Sequence, residues 1–140
     1  MTFVRLIFLA ITIFSSTGCA AMFAAEGASE DSKAINVQFV CAENKKNLEK
    51  MGYGISKNSV LQIMGNAPYH LKNKLVIPQP YKKETHRVDG KTVEVLYYVT
   101  DVKGDGRAIP NEELTPIVIE DGRYTGWGKL HLGVVGLPAK

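Results

Sequence analysis

The sequence predicts an α+β domain in which two N-terminal helices pack on one face of a three- to four-stranded antiparallel sheet. Three observations carry this. Between residues 34 and 64 apolar side chains recur at helical spacing. Beyond Glu84 the period shortens to that of strands, and Asp89-Gly90 and Asp121-Gly122 each mark a tight hairpin. The chain has 140 residues, enough for one small domain but not for a multidomain enzyme.

The first helix is expected within 34–51, from Ile35, Phe39, Val40, Leu48 and Met51, and is strongest over 42–50; the polar run Glu43-Asn44-Lys45-Lys46-Asn47 breaks its face. Gly52-Tyr53-Gly54 ends it. Ser56 then offers an N-cap to a second helix over 56–64, whose face is Val60, Leu61, Ile63 and Met64. Gly65 and Asn66-Ala67-Pro68 stop that helix, because the residue before a proline is pushed out of helical geometry. Residues 71–83 hold Pro78 and Pro80 and read as an irregular excursion. Strands follow at 84–88, 92–100, 116–120 and 123–130. In the second of these Val93, Val95, Tyr97 and Val99 share one side, so Tyr98 is expected on the opposite, open face with Lys82 and Lys83 beside it. The domain is bounded at 42–132, and 133–140 reads as a loose tail because it holds two glycines and a proline.

The first 18 residues have the design of a secretory signal peptide: Arg5, the apolar run LIFLAITIF over 6–14, then Ser15, Ser16, Thr17 and Gly18. The run is too short to span a bilayer as a mature helix. Ser16-Thr17-Gly18-Cys19 resembles a bacterial lipobox, although Ser16 stands where that pattern has Leu. Cleavage before Cys19 gives an N-terminus lipidated on its sulfur; an ordinary small-residue site near Ala20 or Ala21 gives a soluble exported protein. Residues 19–41 form the lipidated N-terminus and tether. Either route leaves Cys41 without a partner, as an unpaired thiol that reads as a small apolar residue in Val-Gln-Phe-Val-Cys.

Charge and motifs exclude more than they assign. Hydrophobic residues at 45% and charged residues at 22% describe a globular chain, and a net charge of +3 is too weak for a nucleic-acid binder. There is no Gly-x-Ser-x-Gly, no phosphate loop and no Cys/His pair, so no catalytic residue and no cofactor are expected. His70, His86 and His131 lack zinc-ligand spacing. Asp101, Asp105, Gly106 and Glu112 fall at calcium-loop positions, but Lys103 and Arg107 occupy ligand positions and a strand precedes the loop, so no metal is expected. Glu112-Glu113 reads as a solvated face. Lys72, Lys74, Lys82, Lys83 and Arg87 form a basic cluster, read either as a solvated loop or as a surface facing anionic lipid or polymer at the membrane. Trp127, between Gly126 and Gly128, is either a core ring or an exposed anchor. The candidate partner-binding residues are therefore Tyr98, Lys82, Lys83 and Trp127, with Cys19 the lipidation site.

The run from Gly54 through Ser56, Val60, Leu61 and Gly65 to Pro68 resembles the SmpA/BamE-type small outer-membrane lipoproteins, with their glycine, hydroxyl cap, short helix, glycine and proline. Val95-Leu96-Tyr97-Tyr98 and Asp121-Gly122-Arg123-Tyr124-Thr125-Gly126-Trp127 resemble that family's aromatic strand and last hairpin. The resemblance covers about residues 45–130, and 101–116 departs from it. It implies an outer-membrane lipoprotein facing the periplasm, non-enzymatic, binding an envelope protein such as the outer-membrane assembly machinery. The alternative is a soluble exported inhibitor or ligand-binding protein of the same fold.

Overall fold

The computed structural model describes residues 35–138. The expected signal peptide, Cys19 and the tether up to residue 34 lie outside the described residues. Helix α1 runs Val37–Leu48 and is capped by Asn36, whose Oδ1 accepts the Phe39 N–H at 2.8 Å. The folded unit thus begins before residue 42, with Ile35 already bridging to Leu71. The buried stripe of α1 is Val37, Val40, Cys41, Asn44 and Leu48; Phe39, expected inward, is 44% exposed. Asn44 hides within the polar run because its Nδ2 donates to the Val99 carbonyl at 2.8 Å, which offsets the cost of burying the amide.

Helix α2, Lys57–Met64, starts at the expected cap, where Ser56 Oγ accepts the Ser59 N–H at 3.1 Å, and turns off at Gly65, whose φ of 86° suits glycine. The excursion at 71–83 is more ordered than expected. β1 (Tyr69–His70) and β2 (Val76–Ile77) pair as a short hairpin and send Leu71 and Ile77 into the core beside α1.

β3 (Lys82–Val88), β4 (Lys91–Val99), β5 (Leu114–Glu120) and β6 (Arg123–Trp127) form one antiparallel sheet in chain order. Both Asp-Gly turns have positive φ at each residue, 49° and 79° at Asp89-Gly90 and 46° and 80° at Asp121-Gly122, as primed hairpin turns require. The α+β class, with helices leading into an antiparallel sheet, is as the sequence predicts.

Which sheet face the helices cover is the reverse of expectation. Leu96, Tyr98, Ile117, Ile119 and Tyr124 pack with Leu48, Val60 and Met64 of the two helices. Tyr98 is therefore fully buried, its ring under α2 and its hydroxyl donating to the Gly65 carbonyl at 3.2 Å. A period of two separates Tyr97 from Tyr98 but does not say which side is inward, and the wrong choice flips every side chain.

The other face is covered as well. Strand β6 stops at Trp127, and α3 (Lys129–Val134) lays Leu132, with half-buried Val135 and Leu137, on Val93, Val95 and Val118. The expected loose tail is thus packed at least to Leu137. Gly136 at φ 76° closes the helix, with its N–H to Gly133 O at 3.2 Å and the Leu137 N–H to Leu132 O at 2.8 Å. This is the six-to-one, five-to-two pattern of a glycine-terminated helix, and it returns Leu137 toward Leu132.

Candidate functional site

The four candidate residues do not converge. Tyr98 is in the core. Lys82 and Lys83 lie on β3, at one edge of the sheet, and Trp127 ends β6, at the other. Three interstrand steps of about 4.8 Å put the two edges roughly 14 Å apart. Lys82 and Lys83, adjacent on a strand, also point to opposite faces: Lys82 is across from Tyr97 and Lys83 across from Leu96. Of the wider basic cluster, Lys72 and Lys74 sit by the β1–β2 hairpin, separate from β3.

Register brings together a group that the sequence reading missed. Across β3 and β4, Lys82, Glu84, His86 and Tyr97 share the α3 side of the sheet. The Glu84 carboxylate accepts from Lys82 Nζ at 2.6 Å and the Tyr97 hydroxyl at 3.0 Å, and His86 Nε2 lies 3.3 Å away. The Lys82 ammonium also stands 5.2 Å from the Tyr97 ring centroid. The Lys82 hydrogen bond, with those from Tyr97 and His86, outweighs burial and holds Glu84 down at about 2. Burial, then the hydrogen bond to Glu84 and that carboxylate's charge, push Tyr97 up to about 12. The signal available in sequence was the alternation Lys82-x-Glu84-x-His86, which places three titratable groups on one side of one strand.

Both shifts move the Glu84 carboxyl and the Tyr97 phenol further from neutrality, where an acid or base needs a pKa close to the working pH. The cleft above the group is about 90 Å³, closed by Asn111, Leu132, Leu137 and Pro138. That is well below the roughly 300 Å³ at which small-molecule pockets begin. A shallow groove of about 360 Å³ lies beyond it, where Val134 and Val135 face Val88 and Lys91.

The other unusual surface is around α3. Leu130 is 92% exposed and Val134 is 77% exposed, four residues apart on one side of the helix, and Trp127, just before it, is half-exposed. A six-residue helix with Leu132 inward and Leu130 and Val134 outward is apolar on two sides, where a solvated surface helix would be polar on one. The helix is held in place from behind. His131 Nε2 lies 3.2 Å from Thr125 Oγ1, and its ring rests on Gly126. Trp127 is thus half-exposed and not a core ring.

Cys41 is a free, buried thiol, pushed up mainly by burial. In the loop at 101–112 Asp105 pairs with Arg107 at 3.3 Å, and Glu113 Oε1 accepts the Lys103 N–H at 3.2 Å. Glu112 and Glu113 stand on a 3-10 turn, not a strand. Among the described residues no three His, Cys, Asp or Glu side chains gather where a metal ion could be held, and no helix is long and apolar enough to cross a membrane. Residues 18–132 match a family described as protein of unknown function, DUF3192. No curated protein and no solved structure matches the chain.

Proposed function

The chain belongs to the DUF3192 family, and from that premise, which carries no assigned activity, we propose that it is a non-enzymatic envelope lipoprotein. In this reading it is tethered through Cys19 to the outer membrane, faces the periplasm and docks a protein partner. The observation that carries it is the exposed apolar pair Leu130 and Val134 on α3, on a domain whose sheet is packed on both faces and which leaves Trp127 half-exposed where β6 ends. Large apolar side chains grouped on an exposed helix mark interaction surfaces, and a half-exposed tryptophan is a frequent energetic anchor. The resemblance of 54–68 and 121–127 to SmpA/BamE-type lipoproteins supports an envelope protein, such as a component of outer-membrane assembly, as partner.

The test places a photoreactive residue at position 130 and isolates crosslinked products from envelope extract. A membrane-extractable protein, lost on Trp127→Ala with Val134→Ser while the fold melts normally, is the expected result. Recovery of a soluble periplasmic enzyme would favour the exported inhibitor of the same fold. Crosslinking indifferent to those substitutions would sink the docking reading. Cys19→Ser should release the chain to the soluble fraction, since acyl chains contribute about 0.8 kcal/mol per buried methylene.

A further inference from the structure

The fold treats the two edges of its sheet differently. Along β6, residues 54–57 complete the backbone pairing: the Gly54 N–H donates to Tyr124 O at 2.8 Å, the Tyr124 N–H to Ile55 O at 2.9 Å and the Lys57 N–H to Gly122 O at 2.9 Å. Among the described residues no backbone group bonds to the outer side of β3. An uncovered edge is a template for another strand.

Register tells which residues form that template. The two-residue turn at Asp89-Gly90 closes on Val88 and Lys91, so the doubly hydrogen-bonded pairs fall at Val88–Lys91, His86–Val93, Glu84–Val95 and Lys82–Tyr97. Lys83, Thr85 and Arg87 occupy the alternate pairs and direct their N–H and C=O groups away from β4. The side chains of the same three residues are exposed. Lys83 and Arg87 are four residues apart, about 13 Å along the strand, and point to one side with Thr85 between them. Neither makes an ion pair among the described residues, whereas Lys82 is committed to Glu84.

We infer that the outer edge of β3 accepts an extended acidic segment of a partner protein as a fifth, antiparallel strand, with carboxylates four residues apart opposite Arg87 and Lys83. The backbone row supplies affinity and the two cations supply the choice of sequence. A second copy fits poorly. Antiparallel pairing of two β3 strands about Thr85 would set Lys83 against Arg87 twice, and like charges directly opposite are destabilising. A lipid surface offers no strand to complete the row. This inference rests on the binding-module reading and gives the chemistry of one segment of the partner, at the edge away from Trp127.

The probe is the peptide Thr-Glu-Val-Thr-Val-Glu-Thr and its twin with lysine for glutamate, added to the full chain in detergent. The readout is amide hydrogen exchange. The acidic peptide should slow exchange at Lys83, Thr85 and Arg87 and leave Leu130 and Val134 unchanged, and the lysine twin should not. Lys83→Glu with Arg87→Glu should weaken the acidic peptide about tenfold or more and favour the twin. Thr85→Pro removes an outward N–H and no bond to β4, so it should abolish the protection at near-normal melting temperature. Absence of peptide binding, equal binding by the charge-reversed variant, or protection at other amides overturns the inference. So does protection of the three amides that grows with protein concentration alone, which would assign the edge to a second copy, or that appears with anionic vesicles. Failure here, with crosslinking at position 130 still dependent on Trp127 and Val134, overturns only this inference; failure of both overturns the binding module.

Discussion

The imidazole of His131 lies flat against the bare Cα of Gly126: a Cβ built there would meet the ring at 2.6 Å. That approach lets α3 sit close on β6. Gly126→Ala should cost about 1–3 kcal/mol, the usual range for overpacking. Urea unfolding measures it, and adding His131→Ala should recover a good part of the loss. Equal destabilisation with and without the imidazole would mean the glycine is needed for another reason.

Tyr98 tests the sheet orientation. With its ring fully buried under α2, Tyr98→Ala should cost about 3–5 kcal/mol, whereas Tyr98→Phe, which loses only the bond to Gly65 O, should cost about 1 kcal/mol. Near-neutral Tyr98→Ala in chemical denaturation would restore the opposite face assignment.

The C-terminal segment should behave as core. Leu132 is 3% exposed on Val93, Val95 and Val118, so Leu132→Ala should cost about 2–5 kcal/mol, while Leu130→Ala, outward on the same helix, should stay within about 0.5 kcal/mol. Comparable melting temperatures for the two variants would contradict the packing of α3.

Acid should unlock the Glu84 group. Its carboxyl is lowered from 4.5 to about 2 on folding, so its contribution is present above pH 4.5 and disappears as pH falls toward 2. Lys82 and His86 are each more than a third exposed, which screens the effect to about 1 kcal/mol. Between pH 5 and 2 the wild type should lose about that much more stability than Glu84→Gln. Parallel pH profiles for the two would show the carboxylate to be uncoupled from folding.

Hairpins and caps were legible because they are local. Ser56, Gly65 and both Asp-Gly turns state their geometry within four residues. The facing of β4 was not legible, since what decides it is the ring of Tyr98 finding Met64 and Gly65, more than thirty residues away. Asn44 hid the inward stripe of α1 because its partner is the carbonyl of Val99. α3 was readable in part: Leu132, Gly136 and Leu137 are a helix-stop pattern, but Gly133 and Pro138 disguised it as coil. The Glu84 group needed only the strand period, once His86 was taken with its neighbours instead of with the other histidines.

The strands of the sheet follow one another in chain order, yet α1 and α2, which cover one of its faces, are made first. Val40, Leu48, Val60 and Met64 meet their sheet partners Leu96, Val99, Ile117 and Tyr124 only after most of the polypeptide has emerged. During synthesis from the N-terminus, α1 and α2 therefore have nothing to lie on. Short helices without a packed face are marginal in water. The hairpins of β3–β6 close small loops and can form as soon as they appear, so the last-made part of the molecule supplies the platform on which the first-made part settles. Complete packing of α1 and α2 therefore waits for Tyr124 on β6.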